Sequence, residues 1–145
     1  MWGPGAPAFA GKTVTVTEAV GYPRPVQQRI PILVGGSGER RTLRLVARYA
    51  DACNLSGDAA TLRHKLDVLR AHCADVGRDP SAIEVPHLSS ALDCPVDEHI
   101  GRYRELAEAG VQTGIVRFPR LDEQAVVSFA PVVAAFAAGD GQPAG

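Results

Sequence analysis

The chain is 145 residues long with 21% charged residues and a formal net charge of -1, which suits one domain with a sizeable core. That balance carries no electrostatic footprint for nucleic acid or an anionic membrane, and neither partner is expected. Cys53, Cys73 and Cys94 are odd in number and widely spaced, without a Cys-x-x-Cys pair, so no disulfide framework and no metal site is expected, and a reducing, cytoplasmic setting is.

From the start, "MWGPGAPAFAG" lacks the basic first region and continuous apolar run of a signal peptide, and no later segment approaches membrane-spanning length. Rich in Gly, Pro and Ala, Met1 to Gly11 is expected to be irregular. Alternating Thr and Val between Lys12 and Val20 predict a half-buried strand, and the prolines of Tyr22 to Gln27 predict an extended connection. Residues 1–29 thus form an irregular segment with a short strand. Ile30 to Val34 reads as a strand that runs into Gly35, Gly36, Ser37 and Gly38, and Leu43, Val46, Ala47 and Ala50 follow at helical spacing.

Asp51 to Leu55 is a short strand of buried type. After it Asp58 is placed to cap a helix with the stripe Leu62, Leu66, Leu69, Cys73 and Val76, stopped by Gly77. A third strand is expected near Ile83 to Leu88, weakened by Pro86, which has no N–H for a ladder. The next helix is expected to bury Val96, Ile100, Tyr103 and Ala107 and to end at Gly110. Thr113 to Phe118 is the fourth strand. A last helix from about Asp122 is expected to bury Val126, Phe129, Val133 and Phe136, with a kink or break at Pro131. Residues 139–145 read as a flexible tail.

Strands alternating with helices argue for repeated β-α units and a parallel sheet. An open doubly wound sheet and part of an eight-unit barrel both fit, and both put the functional loops after the strand carboxyl ends. "GGSGER" has Arg41 where a dinucleotide fingerprint needs its third glycine, and it lacks the Gly-Lys-Ser/Thr ending of a Walker loop. The residues alone leave two readings. One is a strand-to-helix turn with Ser37 as cap; the other is a backbone cradle in which glycines admit an anion to unpaired N–H groups.

The run "RIPILVGGSGERRTLRLVARYADACN", Arg29 to Asn54, resembles the coenzyme F420-dependent branch of the luciferase-like monooxygenase family. In that family a strand of the form P-I-L-V/I-G-G enters a helix with an L-R-L-x-A-R-Y-A-D core. The likeness continues through Leu62 to Val85 and His99 to Pro119. It implies an α/β fold of the TIM-type β/α barrel, here about half a barrel with four parallel strands, occupying residues 30–138. It implies that Gly35, Gly36, Ser37 and Gly38 approach the phosphate-bearing tail of the deazaflavin, with Asn54, Leu55, Ser56 and Gly57 lining the same side. The implied activity is hydride transfer between coenzyme F420 and a small organic substrate, with FMN and a monooxygenase reaction as the alternative, and no catalytic residue is singled out.

The resemblance covers the carboxyl-terminal half of the family's barrel and makes residues 1–29 a mid-barrel insertion, with Met1 an internal methionine of a longer ancestor. Half a barrel leaves two sheet edges and an apolar inner face without its opposite wall. Such a chain is expected to form a homo-oligomer or to pair with a missing amino-terminal half. A non-catalytic remnant or subunit is the competing expectation. Among other residues, His64, His72 and His99 read as solvent-side helix residues, and His87, near a strand end, is the better functional candidate. Arg117 falls near the last strand's carboxyl end, where it contacts an acidic substrate or pairs with a neighbouring carboxylate. Arg40, Arg41, Arg44 and Arg48 read as a charged outer helix face, and Asp97, Glu98, Glu105 and Glu108 as its counterpart on a later helix.

Overall fold

Between Lys12 and Val20 the Thr/Val alternation yields only a two-residue ladder. In the computed structural model, which describes residues 5, 7–91, 94–120 and 122–137, Phe9–Ala10 (β1) pairs antiparallel with Thr15–Val16 (β2). The Gly11 amide donates to Val14 O at 2.9 Å to close the hairpin. Phe9 and Val14 stay 60% and 57% exposed, so no apolar surface covers the pair to extend it. This hairpin lies in the first of two compact units, Met1–Pro31; the second is Ile32–Gly145. The expected tail, 139–145, lies outside the described residues, as does the opening stretch 1–4.

The second unit alternates strand and helix. Leu33–Gly35 (β3) leads to Thr42–Tyr49 (α1), Ala52–Asn54 (β4) to Ala59–Asp75 (α2), Pro86–Ser90 (β5) to Val96–Glu108 (α3), and Thr113–Arg117 (β6) to Glu123–Ala137 (α4). β3 and β4 pair in parallel, with Gly35 opposite Asn54, and β5 and β6 pair in parallel, with Leu88 opposite Ile115. Isolated parallel bridges, Ala52 to Glu84 and Leu55 to His87, connect the two pairs. The third strand starts three residues later than expected because Pro86, lacking an N–H, stands at its first position, after a 3-10 turn at Pro80–Ala82.

Leu43, Val46 and Ala47 of α1 pack with Leu62, Leu66, Leu69 and Cys73 of α2 over Cys53, Leu55, Ile83 and Val85. Asp58 caps α2 as expected, accepting from Thr61 N at 2.8 Å, and Gly77 takes φ +67 just past its end. Val76 follows α2 as its C-cap and is 40% exposed, outside the expected stripe.

Two expected stripes are rotated. In α3 the buried residues are His99 and Leu106, because ring packing fixes the helix: His99 lies 5.2 Å from Phe129 and Tyr103 lies 6.2 Å from it, both edge-on. His99 is therefore core, not solvent-side. In α4 the buried residues are Phe129 and Val132, while Val126 and Val133 are 49% and 60% exposed. Phe129 and Val132 together centre the buried face, which leaves Val126 and Val133 at its exposed edge. Pro131 lies inside α4, and the helix runs on past it.

Strand alternation divides side chains between two faces. Cys53, Leu55, Val85, His87 and Ser89 are buried on the face that the helices cover. Leu33, Leu88 and Ile115, on the opposite face, are 54%, 45% and 41% exposed.

Candidate functional site

The turns after β3 and β4 lie side by side at the strand carboxyl ends. Register sets this: Gly35 stands opposite Asn54, and the Gly36 amide donates to Asn54 O at 3.3 Å. Gly36 has φ +124, a conformation that favours glycine. One of the proposed cradle amides is thus committed to a neighbouring carbonyl. The amides of Ser37 and Gly38, by contrast, donate to no other atom among the described residues.

Ser37 does not cap α1. The helix opens at Thr42 with Arg41 in the cap position and no side-chain cap bond, because a turn at residues 39–41 intervenes and carries Ser37 out of reach of the first helical amides. Leu43 N donates instead to Gly38 O at 3.0 Å. Gly38 packs closely on the helix start: a Cβ there would stand 2.9 Å from the Thr42 hydroxyl oxygen, a side-chain atom able to turn aside.

In the second turn Asn54 is half-buried, while Ser56 and Gly57 are exposed. Leu55 is fully buried on the helix-covered face, and its amide donates to Pro86 O, so its side chain belongs to the core and does not line the turns. Gly57 has φ +126, and a Cβ there would meet Thr61 Cγ2 at 2.9 Å. His87, 2% exposed, donates from Nε2 to Gly57 O at 3.0 Å and so anchors this turn to β5. It is a buried positioning residue.

Two acidic residues follow the glycines. The Thr61 side chain, and then the Thr61 amide, hold the Asp58 carboxyl below the usual aspartate range. Glu39 is held below the usual glutamate range by hydrogen bonds from Lys65 first and from His64 second, both on α2. His72 is more than a solvent-side residue, since Nε2 donates to Glu39 O at 2.9 Å. Sequence reasoning missed a signal for this pairing of turns. Ser37 to Arg44, "SGERRTLR", and Ser56 to Arg63, "SGDAATLR", share the pattern Ser-Gly-acid-x-x-Thr-Leu-Arg.

Arg117, at the end of β6, donates to Ser90 Oγ at 3.0 Å. Arg44 and Arg48 are exposed on α1, and Arg40 and Arg41 are exposed in the turn before it. Among the described residues no three His, Cys, Asp or Glu side chains stand together as metal ligands, and no helix is long and apolar enough to cross a membrane.

A family model described as luciferase-like monooxygenase matches residues 1–138. Uncharacterized proteins of Mycobacterium tuberculosis and Mycobacterium bovis are 26% identical over 115 residues, 79% of this chain and 39% of theirs. The chain thus spans about two fifths of the length of these curated relatives. Among solved structures, an F420-dependent secondary alcohol dehydrogenase in complex with an F420-acetone adduct superposes with a TM-score of 0.77 at 17% identity, over 92% of this chain and 57% of that one. The coenzyme F420-dependent tetrahydromethanopterin reductase of Methanopyrus kandleri gives 0.63 at 14% identity, over 84% and 55%. A riboflavin lyase with modified FMN and riboflavin gives 0.51 at 18% identity, over 72% and 24%. At these identities the likeness is one of fold.

Proposed function

Because this chain belongs to the luciferase-like monooxygenase family, we propose that it is part of an oxidoreductase barrel and that its Gly35 to Gly38 turn receives the phosphate-bearing tail of a deazaflavin coenzyme of the F420 type. The observation that carries this reading is the pair of adjacent amides at Ser37 and Gly38, without an acceptor among the described residues, just past the carboxyl end of a parallel strand. Successive N–H groups in a glycine turn form a concave donor pair for an oxyanion, and exposed glycines admit it with no side chain in the way. Asn54, Ser56 and Gly57 stand across the Gly36 to Asn54 bond and supply the adjoining edge.

Bound there, such a coenzyme supplies hydride transfer to or from a small organic substrate, and the protein binds, orients and excludes water. His87 acts at one remove by holding Gly57 in place. The reading also joins β3, β4, β5 and β6 into one half-barrel sheet, supported by the two bridges between β4 and the β5 segment. The face exposing Leu33, Leu88 and Ile115 is then closed by a second copy or by the amino-terminal half of a barrel. FMN is the second reading. Its phosphate presents the same oxyanion, and the likeness to a riboflavin lyase with modified FMN favours it.

Titration of the chain with the deazaflavin, followed by its fluorescence, is expected to saturate, and Gly36→Val, which cannot hold φ +124 without strain, is expected to weaken binding. Competition by FMN but not by riboflavin, which lacks the phosphate, identifies the phosphate as the shared determinant. Absence of saturable binding by either coenzyme removes the reading. Sedimentation tests closure of the sheet, for which a compact monomer at all concentrations is the contrary result.

A further inference from the structure

Two helices of the second unit turn opposite charges to solvent. In α1 Leu43, Val46 and Ala47 face inward, and at about 100° per residue Arg41, Arg44, Leu45 and Arg48 fall on the opposite side, where they line one groove. In α3 His99 and Leu106 are buried, which turns Asp97, Glu98, Gly101, Glu105 and Glu108 outward. Arg104 stands on that face too and leaves it acidic on balance. We propose that the outward face of α1 docks antiparallel on the outward face of α3 in a second copy of this chain, so that copies join head to tail. The contact uses none of the residues assigned to the coenzyme turns or to closure of the sheet.

Three observations carry it. First, Glu39, Asp67, Asp75 and Asp122 hold cations of their own chain, whereas Arg40, Arg41, Arg44 and Arg48 and the four acids of α3 make no ion pair among the described residues. Second, part of each set lies at the helix end that disfavours it. Arg40 and Arg41 stand at the amino end of α1, which has no acid in its first turn, and Glu105 and Glu108 stand in the last turn of α3, which has no base. An antiparallel contact sets these two ends against each other and relieves both. Third, the spacing matches. Leu45 is four residues after Arg41 and three before Arg48; Gly101 is four residues before Glu105 and three after Glu98. Antiparallel, Arg41 meets Glu105 and Arg48 meets Glu98, each pair at the end of a span of about 10.5 Å. Leu45, 52% exposed, then meets Gly101, where an added Cβ would find nothing within 4 Å and an apolar side chain has room to seat. Because the two faces differ, the contact is not two-fold and each copy offers both halves of it.

Sedimentation of the full chain over a concentration series tests this. Mass is expected to grow with concentration at about 0.1 M sodium chloride and to lose that growth at about 1 M, as the screening length falls from about 10 Å to about 3 Å. Closure of the sheet through its apolar face is not weakened by salt, so a species that persists at high salt reports closure and the salt-sensitive growth reports this contact. Arg41→Glu with Arg48→Glu is expected to weaken the salt-sensitive association by about tenfold or more, and Glu98→Arg with Glu105→Arg to do the same. The chain carrying all four reversals is expected to associate again. Gly101→Leu fills the seat of Leu45 without changing charge and is expected to weaken association as well. Circular dichroism establishes that each variant is folded, and should a reversal fail to fold, the salt series and Gly101→Leu decide. Absence of salt-sensitive growth, undiminished association of a folded single-face reversal or of Gly101→Leu, or a folded four-reversal chain that stays apart overturns the proposal.

Discussion

The turn after β3 and the turn after β4 carry one eight-residue pattern and use it differently. In both, the glycine lies against a threonine four residues on: Gly38 against Thr42, and Gly57 against Thr61. In both, the leucine that follows, Leu43 or Leu62, is fully buried, and the arginine after it is exposed. The acid separates them. Asp58 is short enough to turn back on Thr61 N and start α2 at once. Glu39, one methylene longer, reaches Lys65 and His64 on the neighbouring helix, and α1 starts only at Thr42 without a side-chain cap. The length of the acid goes with whether the motif caps its own helix or ties two helices together, while in both turns the Ser-Gly amides, of Ser37 and Gly38 and of Ser56 and Gly57, donate to no acceptor among the described residues.

The largest expected effect tests what the two turns share. Leu43→Ala and Leu62→Ala each remove a side chain with no exposure from one core and are expected to cost about 2–5 kcal/mol, a large share of a stability on the order of 5–15 kcal/mol. Urea denaturation measures both. Similar costs sharpen the equivalence of the two units, and a Leu43→Ala cost near zero would break it, since it would mean that α1 is not held against α2.

Next in size is a difference between the two glycines. Gly57 combines φ +126 with Thr61 Cγ2 at 2.9 Å from any added Cβ, so Gly57→Ala meets strain and collision together. Its expected cost exceeds about 1 kcal/mol. Gly38→Ala meets only the Thr42 hydroxyl at 2.9 Å, a group that rotates about one bond, and is expected to stay within about 0.5 kcal/mol of the parent. The same denaturation series reads this contrast, and equal losses at the two sites would show that the backbone conformation at Gly57 is not the deciding term.

Much of this contrast is legible in the sequence, and the rest is not, for identifiable reasons. Local chemistry suffices for the Asp58 cap, the Gly77 stop and the stripe from Leu62 to Cys73, because a carboxylate before a helix and leucines at helical spacing act within a few residues of themselves. It fails where a distant partner chooses. Ser37 has the right chemistry for a cap and loses the role to a turn that Glu39 holds against α2. The α3 stripe rotates toward His99 because Phe129, thirty residues on, supplies a ring. Leu33, Leu88 and Ile115 alternate as regularly as their buried neighbours and yet stay exposed, since alternation assigns a face and says nothing about what covers it.

The smallest effect separates the two acids. The folded carboxyls of Asp58 and Glu39 both lie below their ordinary values of 3.8 and 4.5. Each contribution is therefore fully present above the ordinary value and lost as pH falls through the lowered one. Asp58→Ala and Glu39→Ala are accordingly expected to lower the melting temperature near neutral pH and to lose that penalty as pH falls through the lowered value of each carboxyl. Salt tells them apart. The Lys65 ammonium is the first partner of Glu39, and a charge pair that reaches solvent weakens as the screening length falls to about 3 Å at 1 M salt. Asp58 accepts from the neutral hydroxyl and amide of Thr61, which salt screens less. The Glu39→Ala penalty should thus shrink with added salt while the Asp58→Ala penalty persists. The reverse pattern would mean that Glu39 acts within its own turn, as Asp58 does, and that one methylene does not divide the two units.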